Sequence, residues 1–258
     1  MAAYEFISLD ERDGVATLTL NRPQALNALH VGMLTEIIGA LDHVRDAGTA
    51  RVLLMTGAGR AFSSGADLSA GPSSDLGAKV EGYYNPIVER LFALPIPFIT
   101  AVNGPAVGAG CAFALAGDIV IAARSAYFLQ AFVNIGLVPD VGSNWLLPRL
   151  IGRARAQAMM MLGERVSAEQ AEAWGMLYRV VDDAALETEA GALASRLATG
   201  PTRTYALIRQ GMRFALDHSL SETLKTERVN QMLAGRTEDF AEGVAAFREK
   251  RPAVFKGR

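Results

Sequence analysis

The chain has 258 residues, half of them hydrophobic and a fifth charged, with a formal net charge of −2. This length suits one large domain or one domain with an appendage, and the charge balance argues against a nucleic-acid-binding surface. Cys111 is the only cysteine, which excludes an internal disulfide and a thiolate metal cluster and favours a cytoplasmic location.

The first elements predicted along the chain are a β-hairpin and a helix. The opening MAAYEFISLDERDG reaches charged residues too early for a secretory signal peptide, and every apolar run is too short to cross a membrane. Two β-rich runs, 4–9 and 15–20, flank ERDG and predict the hairpin. Apolar residues at helical spacing predict a helix over 30–47, which Gly48 ends.

Buried strands and single helices then alternate, which predicts stacked ββα units in an α/β fold. The predicted strands are 51–57, 97–104, 118–123 and 126–132. A Gly- and Ser-rich loop over 59–77 and helices over 79–94 and 108–117 lie between them.

From about Gly152 the pattern becomes mainly helical. Ser167 and Ser219 each have Gln or Glu three residues later, as in a capping box, and Asp182 or Asp183 is expected to cap the next helix. One more strand is predicted over 177–181 and a last helix over 237–250. We therefore expect two parts, a ββα core over 1–195 and a helical region over 196–258.

Common catalytic motifs are incomplete in this sequence. GAGRAF and GAGCAF have Phe62 and Phe113 where a dinucleotide fingerprint needs its third glycine, and no phosphate-binding loop motif occurs. The three histidines, His30, His43 and His218, lie on predicted helices or their ends, where we expect exposed or capping roles. This scarcity argues against a serine hydrolase and against a zinc or iron site.

Two Gly- and Ala-rich segments, 63–67 and 104–110, each follow a buried strand. Small residues allow backbone N–H groups to approach a ligand closely, and two such segments together can form an oxyanion hole. Tight turns and close helix packing explain each segment somewhat better when it is taken singly.

Five segments, taken together, resemble the crotonase, or enoyl-CoA hydratase/isomerase, superfamily over essentially the whole chain. They are NRPQALNAL (21–29), FSSGADL (62–68), NGPAVGAG (103–110), GLVPDVG (136–142) and AFREKR (246–251).

The resemblance implies a spiral of ββα turns with a carboxy-terminal helical trimerisation region, assembled as homotrimers or hexamers. It also implies an acyl-CoA thioester substrate, and no metal or redox cofactor. Backbone N–H groups of Ala66 and Ala109 would form the oxyanion hole. The residues implied to contact coenzyme A are Gln24, Ala25 and Leu26 along its path, Ser64 and Leu68 near the adenine, and Phe247 and Lys250 reaching a neighbouring subunit's coenzyme A.

The departures from the family pattern favour isomerisation over hydration. Hydratases of the family have two glutamates that hold water, and this chain has Ala112 and Phe132 at those positions. Asp140 is the one acid left in a matching active-site segment, and isomerases of the family use a lone carboxylate there. Its surroundings most resemble the branch that rearranges the ring epoxide of phenylacetyl-CoA and shifts double bonds, except that Ser143-Asn144 replaces an expected Gly-Thr.

Asp140 is accordingly predicted to be a proton shuttle, although Pro-Asp-x-Gly is also ordinary turn chemistry. Apolar neighbours are expected to desolvate its carboxylate and raise its pKa; they are Leu137, Val138, Val141 and Trp145. Alternative functions are an enoyl-CoA hydratase, a hydrolase of acyl-CoA and a non-catalytic acyl-CoA- or RNA-binding relative.

Overall fold

The computed structural model describes residues 4–69, 71 and 75–258, and these contain nine strands in two sheets. The strands are β1 (Ile7–Arg12), β2 (Val15–Leu20), β3 (Val52–Gly57), β4 (Phe98–Val102), β5 (Ala106–Val107), β6 (Ile119–Ala123), β7 (Tyr127–Leu129), β8 (Val166–Ser167) and β9 (Arg179–Val181).

The larger sheet has the strand order β1-β2-β3-β4-β6-β9, and the smaller has the order β5-β7-β8. In the larger sheet only the β1–β2 hairpin is antiparallel. Its turn places Asp13 and Gly14 at positive φ, as a two-residue hairpin turn requires. Buried and less buried residues alternate along β2, whereas every residue of β4 is buried, as expected for a strand inside a parallel sheet.

Ten α-helices occur in the described part of the chain. They are α1 (Val31–Ala47), α2 (Leu76–Lys79), α3 (Asn85–Ala93), α4 (Ala109–Leu115), α5 (Ser143–Leu162), α6 (Ala168–Ala173), α7 (Leu186–Ala198), α8 (Thr202–Asp217), α9 (Leu220–Ala234) and α10 (Glu238–Glu249).

Helices pack on the larger sheet, and the carboxy-terminal part of the chain forms a separate group of helices. Helix α7 packs against β2, β3, β4 and β6, and α4 packs against β4. Four phenylalanines with fully buried side chains fill the core: Phe62, Phe98, Phe113 and Phe128. Helices α8 and α9 pack on each other and carry exposed apolar side chains, among them Leu216, Leu220 and Leu224.

Several predicted helix ends are confirmed. Gly48 ends α1 in the left-handed conformation, and His30 caps its start by accepting a hydrogen bond from Met33 N. Ser219 and Glu222 form the complete capping box at the start of α9. Ser167 caps α6 by accepting from Gln170 N.

Other predicted boundaries are wrong for local reasons. The helix expected to start near Lys79 starts at Leu76, because the Asp75 side chain accepts a hydrogen bond from Ala78 N. The strand expected over 126–132 ends at Leu129, where a 3₁₀ turn (Ala131–Ile135) begins.

The predicted aspartate cap of α7 is also wrong. Asp182 makes no capping hydrogen bond, and the Asp183 carboxylate accepts instead from Ser125 N.

None of the described helices combines the length and the apolar character needed to cross a bilayer. The last strand, β9, ends at Val181, and only helices and turns follow it. The part of the predicted 59–77 loop at residues 70 and 72–74 lies outside the described residues.

Candidate active site

A tight turn after β2 places the residues predicted to line the coenzyme A path. Leu26 and Asn27 both have positive φ, which reverses the chain within a few residues. The fully buried Asn27 side chain holds this turn, because it accepts a hydrogen bond from Arg22 N and donates to the carbonyls of Ala58 and Ala61.

The segment 63–67 runs alongside this turn. Ser64 N donates to Leu26 O at 2.9 Å, and the Ser64 hydroxyl lies 3.4 Å from Ala25 O. The structure therefore brings Ser64 together with Ala25 and Leu26, while Gln24 is exposed beside them.

The Ala66 amide is free to face a ligand because of how its segment pairs. Leu29 N donates to Gly65 O at 2.8 Å and Asp67 N donates to Leu29 O at 3.0 Å, which forms a parallel bridge between Leu29 and Ala66. In such a bridge the residue between the two bonds directs its own N–H away from the partner strand. Ala66 N–H therefore points away from Leu29.

The Ala109 amide lies at the start of α4. Gly108 has φ 54° and ψ −122°, a conformation for which only glycine is suited, and it donates to Leu129 O. Ala109 is the first residue of the helix, so its N–H has no acceptor in a preceding turn of that helix. Unlike Ala66, which is exposed, Ala109 is buried.

The two predicted donor segments lie side by side. Ser63 N donates to Pro105 O and Val107 N donates to Ser63 O, so the segments pair as short parallel strands. A β-carbon built on Gly65 would lie 3.7 Å from Ala109 N. Ala66 and Ala109, whose N–H groups lack partners within their own elements, therefore lie on adjacent paired segments.

Asp140 lies in the turn before α5 and is partly buried. Its Oδ1 is buried and has no hydrogen-bond partner among the described residues. Burial raises the pKa of Asp140 to about 6. This carboxylate is thus a stronger base than an exposed aspartate and still charged in most molecules at neutral pH.

Tyr84 contacts Leu29 and lies within electrostatic range of Asp140. The tyrosine hydroxyl donates to Leu29 O at 3.3 Å, and Leu29 is the residue bridged to Ala66. Burial, and next the negative charges of Asp140 and Asp67, hold the pKa of Tyr84 above its usual value. Asp140 therefore lies within electrostatic range of a side chain that contacts the residue paired with Ala66.

The two positions at which family hydratases have glutamates are apolar and buried. Ala112 lies on α4, and Phe132 lies in the 3₁₀ turn after β7. A β-carbon built on Gly108 would lie 3.8 Å from the Phe132 ring. An aromatic ring thus flanks the Ala109 donor where a water-binding acid would otherwise stand.

Part of the predicted apolar wall around Asp140 is wrong for this chain. Val141 is buried and Trp145 is partly buried, but Leu137 is exposed and Val138 has 78% of its surface exposed. The segment before Asp140 follows the 3₁₀ turn along the surface, so its apolar residues do not enclose the carboxylate within the single chain.

The remaining predicted coenzyme A contacts are exposed. Leu68 has 62% of its surface exposed, next to Asp67 in the donor segment. Phe247 and Lys250, at the end of α10, are also exposed, and Phe247 keeps 86% of its surface accessible. The tail beyond them folds back on α10, where Arg251 pairs with Glu242. The single chain does not bring Phe247 and Lys250 to the donor segments by any described hydrogen bond.

Two features of the site were not predicted from the sequence. Tyr84 ends a π-helical stretch (Val80–Tyr84), and its hydroxyl donates a hydrogen bond to Leu29 O. Arg22 and Asp67, 45 residues apart, form an ion pair of 2.9 Å beside the donor segment. Arg22 lies in NRPQALNAL and Asp67 in FSSGADL, but neither segment marks the other residue as its partner.

The chain is similar to known proteins over nearly its whole length. Residues 10–258 match the Enoyl-CoA hydratase/isomerase family. The chain is 50% identical to the 1,2-epoxyphenylacetyl-CoA isomerase of Escherichia coli strain K12, over 98% of this chain and 99% of that protein. It is 35% identical to the 2,3-dehydroadipyl-CoA hydratase of the same strain, over 95% and 96% of the two chains.

A crystal structure of an enoyl-CoA hydratase from Bacillus anthracis superimposes with a TM-score of 0.94 at 32% identity, covering 98% of this chain and 100% of that one. A match over nearly the whole chain, in sequence and in fold, confirms the expected ββα architecture. The chain belongs to the crotonase, or enoyl-CoA hydratase/isomerase, family.

Proposed function

We propose that this chain is an acyl-CoA isomerase that moves a proton along the acyl group of a bound thioester. One observation carries the proposal: Asp140 is a solitary, partly buried carboxylate whose pKa burial raises to about 6. The buried residues at the water-binding positions of hydratases, Ala112 and Phe132, have no group that can hold or deprotonate water.

The thioester oxygen is proposed to lie between the N–H groups of Ala66 and Ala109. As a proton leaves the acyl chain, negative charge moves onto this oxygen and forms an enolate. Donors aimed at such a charge accelerate a reaction by roughly 10²–10³-fold each. The pairing of segments 63–67 and 104–110 supports this role, because it fixes both amides before the substrate binds.

Asp140 is proposed to carry the proton. Its carboxylate removes a proton from the α-carbon of a β,γ-enoyl thioester, and the electrons of that C–H bond delocalise into a dienolate. The protonated Asp140 then returns the proton to the γ-carbon, which leaves the double bond between the α- and β-carbons. One carboxyl group accepts and returns the same proton, so these steps need no metal ion or redox cofactor.

Aryl-epoxide thioesters are the second proposed substrate class. The E. coli relative is named for 1,2-epoxyphenylacetyl-CoA, and half of its residues are identical to those of this chain. Aromatic side chains lie near the paired segments in this chain: Tyr84 donates to Leu29 O and stacks on the core residue Phe113 with ring centroids 6.3 Å apart, and Phe132 lies next to Gly108.

Coenzyme A is proposed to bind along the turn at Gln24, Ala25 and Leu26, with its adenine near Ser64 and Leu68. Phe247 and Lys250 are proposed to reach the coenzyme A of a neighbouring subunit in a homotrimer or hexamer. The exposed apolar side chains of α8 and α9 support such an assembly. Light scattering after size exclusion tests it, and a monomer at micromolar concentration contradicts it.

The decisive experiment measures turnover of β,γ-enoyl-, α,β-enoyl- and aryl-epoxide-CoA by the parent and by Asp140→Asn. We expect Asp140→Asn to lose at least ~10²-fold in isomerase kcat while its acyl-CoA affinity stays within about threefold. Asp217→Asn, which removes an exposed acid paired with Arg149, serves as the control.

Two results would overturn the proposal. One is an Asp140→Asn variant with the kcat of the parent. The other is fast hydration of crotonyl-CoA, an α,β-enoyl thioester, followed as loss of the enoyl absorbance. The second result would favour the hydratase function that the 2,3-dehydroadipyl-CoA hydratase relative has by name.

A further inference from the structure

An ion pair joins Arg22 to Asp67, the residue that follows the proposed Ala66 donor. The Arg22 Nη1 atom donates to Asp67 Oδ2 at 2.9 Å and to Ala28 O at 2.7 Å. Both charged side chains are largely buried, with 17% and 14% of their surfaces exposed. Arg22 thereby joins the coenzyme A turn to the donor segment through one guanidinium nitrogen.

Asp67 is a charged carboxylate at neutral pH. Hydrogen bonds from the Ser69 side chain and from Ser69 N, and then from Arg22, hold the pKa of Asp67 well below its usual range. Asp67 follows Ala66 directly, and its own N–H makes the bond to Leu29 O that orients Ala66.

This arrangement creates an electrostatic problem for the proposed chemistry. A permanent carboxylate one residue from Ala66 repels the enolate that would form at the Ala66 amide. Repulsion between like charges on neighbouring residues of a partly desolvated site changes a rate by roughly 10- to 100-fold. A cation held against the carboxylate removes most of this penalty.

We propose that Arg22 is a positioning residue of the oxyanion hole, which neutralises the Asp67 carboxylate and holds it against the Leu29–Ala66 bridge. This inference rests on the proposed function in one respect: the reaction must place the negative charge of an enolate at the Ala66 amide. It holds equally for double-bond shifts, epoxide rearrangement or hydration, because each passes charge to the thioester oxygen.

If Arg22 acts through its charge, Arg22→Gln and Asp67→Asn should differ in kcat. If the pair is only a structural link, both variants should lose the same activity. Arg22→Gln leaves the Asp67 charge unopposed, whereas Asp67→Asn removes the repulsive charge and keeps a side chain of the same shape. We expect Arg22→Gln to lose ~10- to 100-fold in kcat with KM within about threefold of the parent. Asp67→Asn should lose less than Arg22→Gln, and the double variant should recover part of the kcat lost by Arg22→Gln.

The experiment compares kcat, KM and melting temperature for the three variants on the best substrate of the parent enzyme. Arg179, on β9, forms an exposed ion pair with Glu189 on α7. Arg179→Gln breaks this pair, serves as the control and should keep the kcat of the parent. Equal losses in both single variants without recovery in the double variant would overturn the charge role. A change confined to KM would also overturn it, because it would make Arg22 a coenzyme A ligand.

Arg22→Lys keeps the inference testable if Arg22→Gln does not fold. Lysine retains the cation beside Asp67 but cannot reproduce the planar guanidinium. We expect a loss in kcat of less than about threefold, and a tenfold loss with normal KM and melting temperature would overturn the proposal. Asp140→Asn, assayed in parallel, reports separately on the proton shuttle, so either proposal can fail without the other.

Discussion

A β-carbon built on Gly65 would come within 2.7 Å of the Val107 carbonyl oxygen. Such contacts are too short for any side chain, and Gly65 also has φ +87°, which L-residues rarely adopt. Glycine at this position therefore sets how closely the two donor segments approach.

Gly65→Ala should separate these segments and strain the backbone. We expect a loss of about 1–3 kcal/mol in the free energy of unfolding and at least ~100-fold in kcat, measured by urea denaturation and steady-state turnover. Gly39→Ala is the matched control, because nothing lies within 4 Å of its β-carbon and alanine favours the interior of α1. A Gly65→Ala enzyme with the kcat of the parent would show that the approach of the segments is unimportant.

The pH dependence of turnover should report Asp140. A base with a pKa of about 6 is charged above that pH and protonated below it. We therefore expect kcat/KM to rise with pH, reach half its maximum near pH 6 and stay level to pH 8. A flat profile between pH 5 and 8, or a midpoint near 4, would contradict Asp140 as the base.

The same raised pKa makes a prediction about stability. The folded protein favours protonated Asp140, so its contribution to stability is present below the unfolded pKa of about 3.9 and is lost as pH rises through about 6. Asn cannot ionise, so Asp140→Asn should be more stable than the parent at pH 8, by about 1–2 kcal/mol once solvent screening of this partly exposed carboxylate is allowed for.

The difference between Asp140→Asn and the parent should vanish near pH 4. Denaturant unfolding at both pH values measures it, and the titrations of other groups cancel in the comparison. Equal stability of the two proteins at pH 8 would show that the carboxylate is not desolvated. An increase in stability together with a loss of turnover would identify Asp140 as a residue kept for function at a cost in stability.

Much of the framework could be predicted from the sequence because it depends on local patterns. The continuous apolar runs of β3 and β4 and the capping box at Ser219 encode their elements directly. The donor segments were identifiable because each follows a buried strand and consists of small residues.

What could not be predicted depends on contacts between distant parts of the chain. The Arg22–Asp67 pair and the bond from Tyr84 to Leu29 each join separate segments, and no local pattern marks them. Leu137 and Val138 show the converse: their apolar character predicted a wall around Asp140, yet both are exposed. An apolar run does not specify whether it packs in its own chain or against another surface.

The exposed end of α10 allows a test of the proposed contact between subunits. Phe247 keeps most of its surface accessible in the single chain, and Lys250 closes the helix in a left-handed conformation. Phe247→Ala removes few contacts within the chain, so its melting temperature should change by less than about 2 °C. If Phe247 contacts the coenzyme A of a neighbour, KM for a full acyl-CoA should rise about tenfold.

A pantetheine thioester, which lacks the nucleotide, should distinguish coenzyme A binding from a general defect. Phe247→Ala should then show the same KM as the parent, because the contact it removes is absent from both complexes. Phe240→Ala is the control, since Phe240 is also exposed on α10 but lies at its opposite end. An equal rise in KM for both thioesters would place the effect in the acyl pocket or in the assembly, and would remove Phe247 from the coenzyme A site.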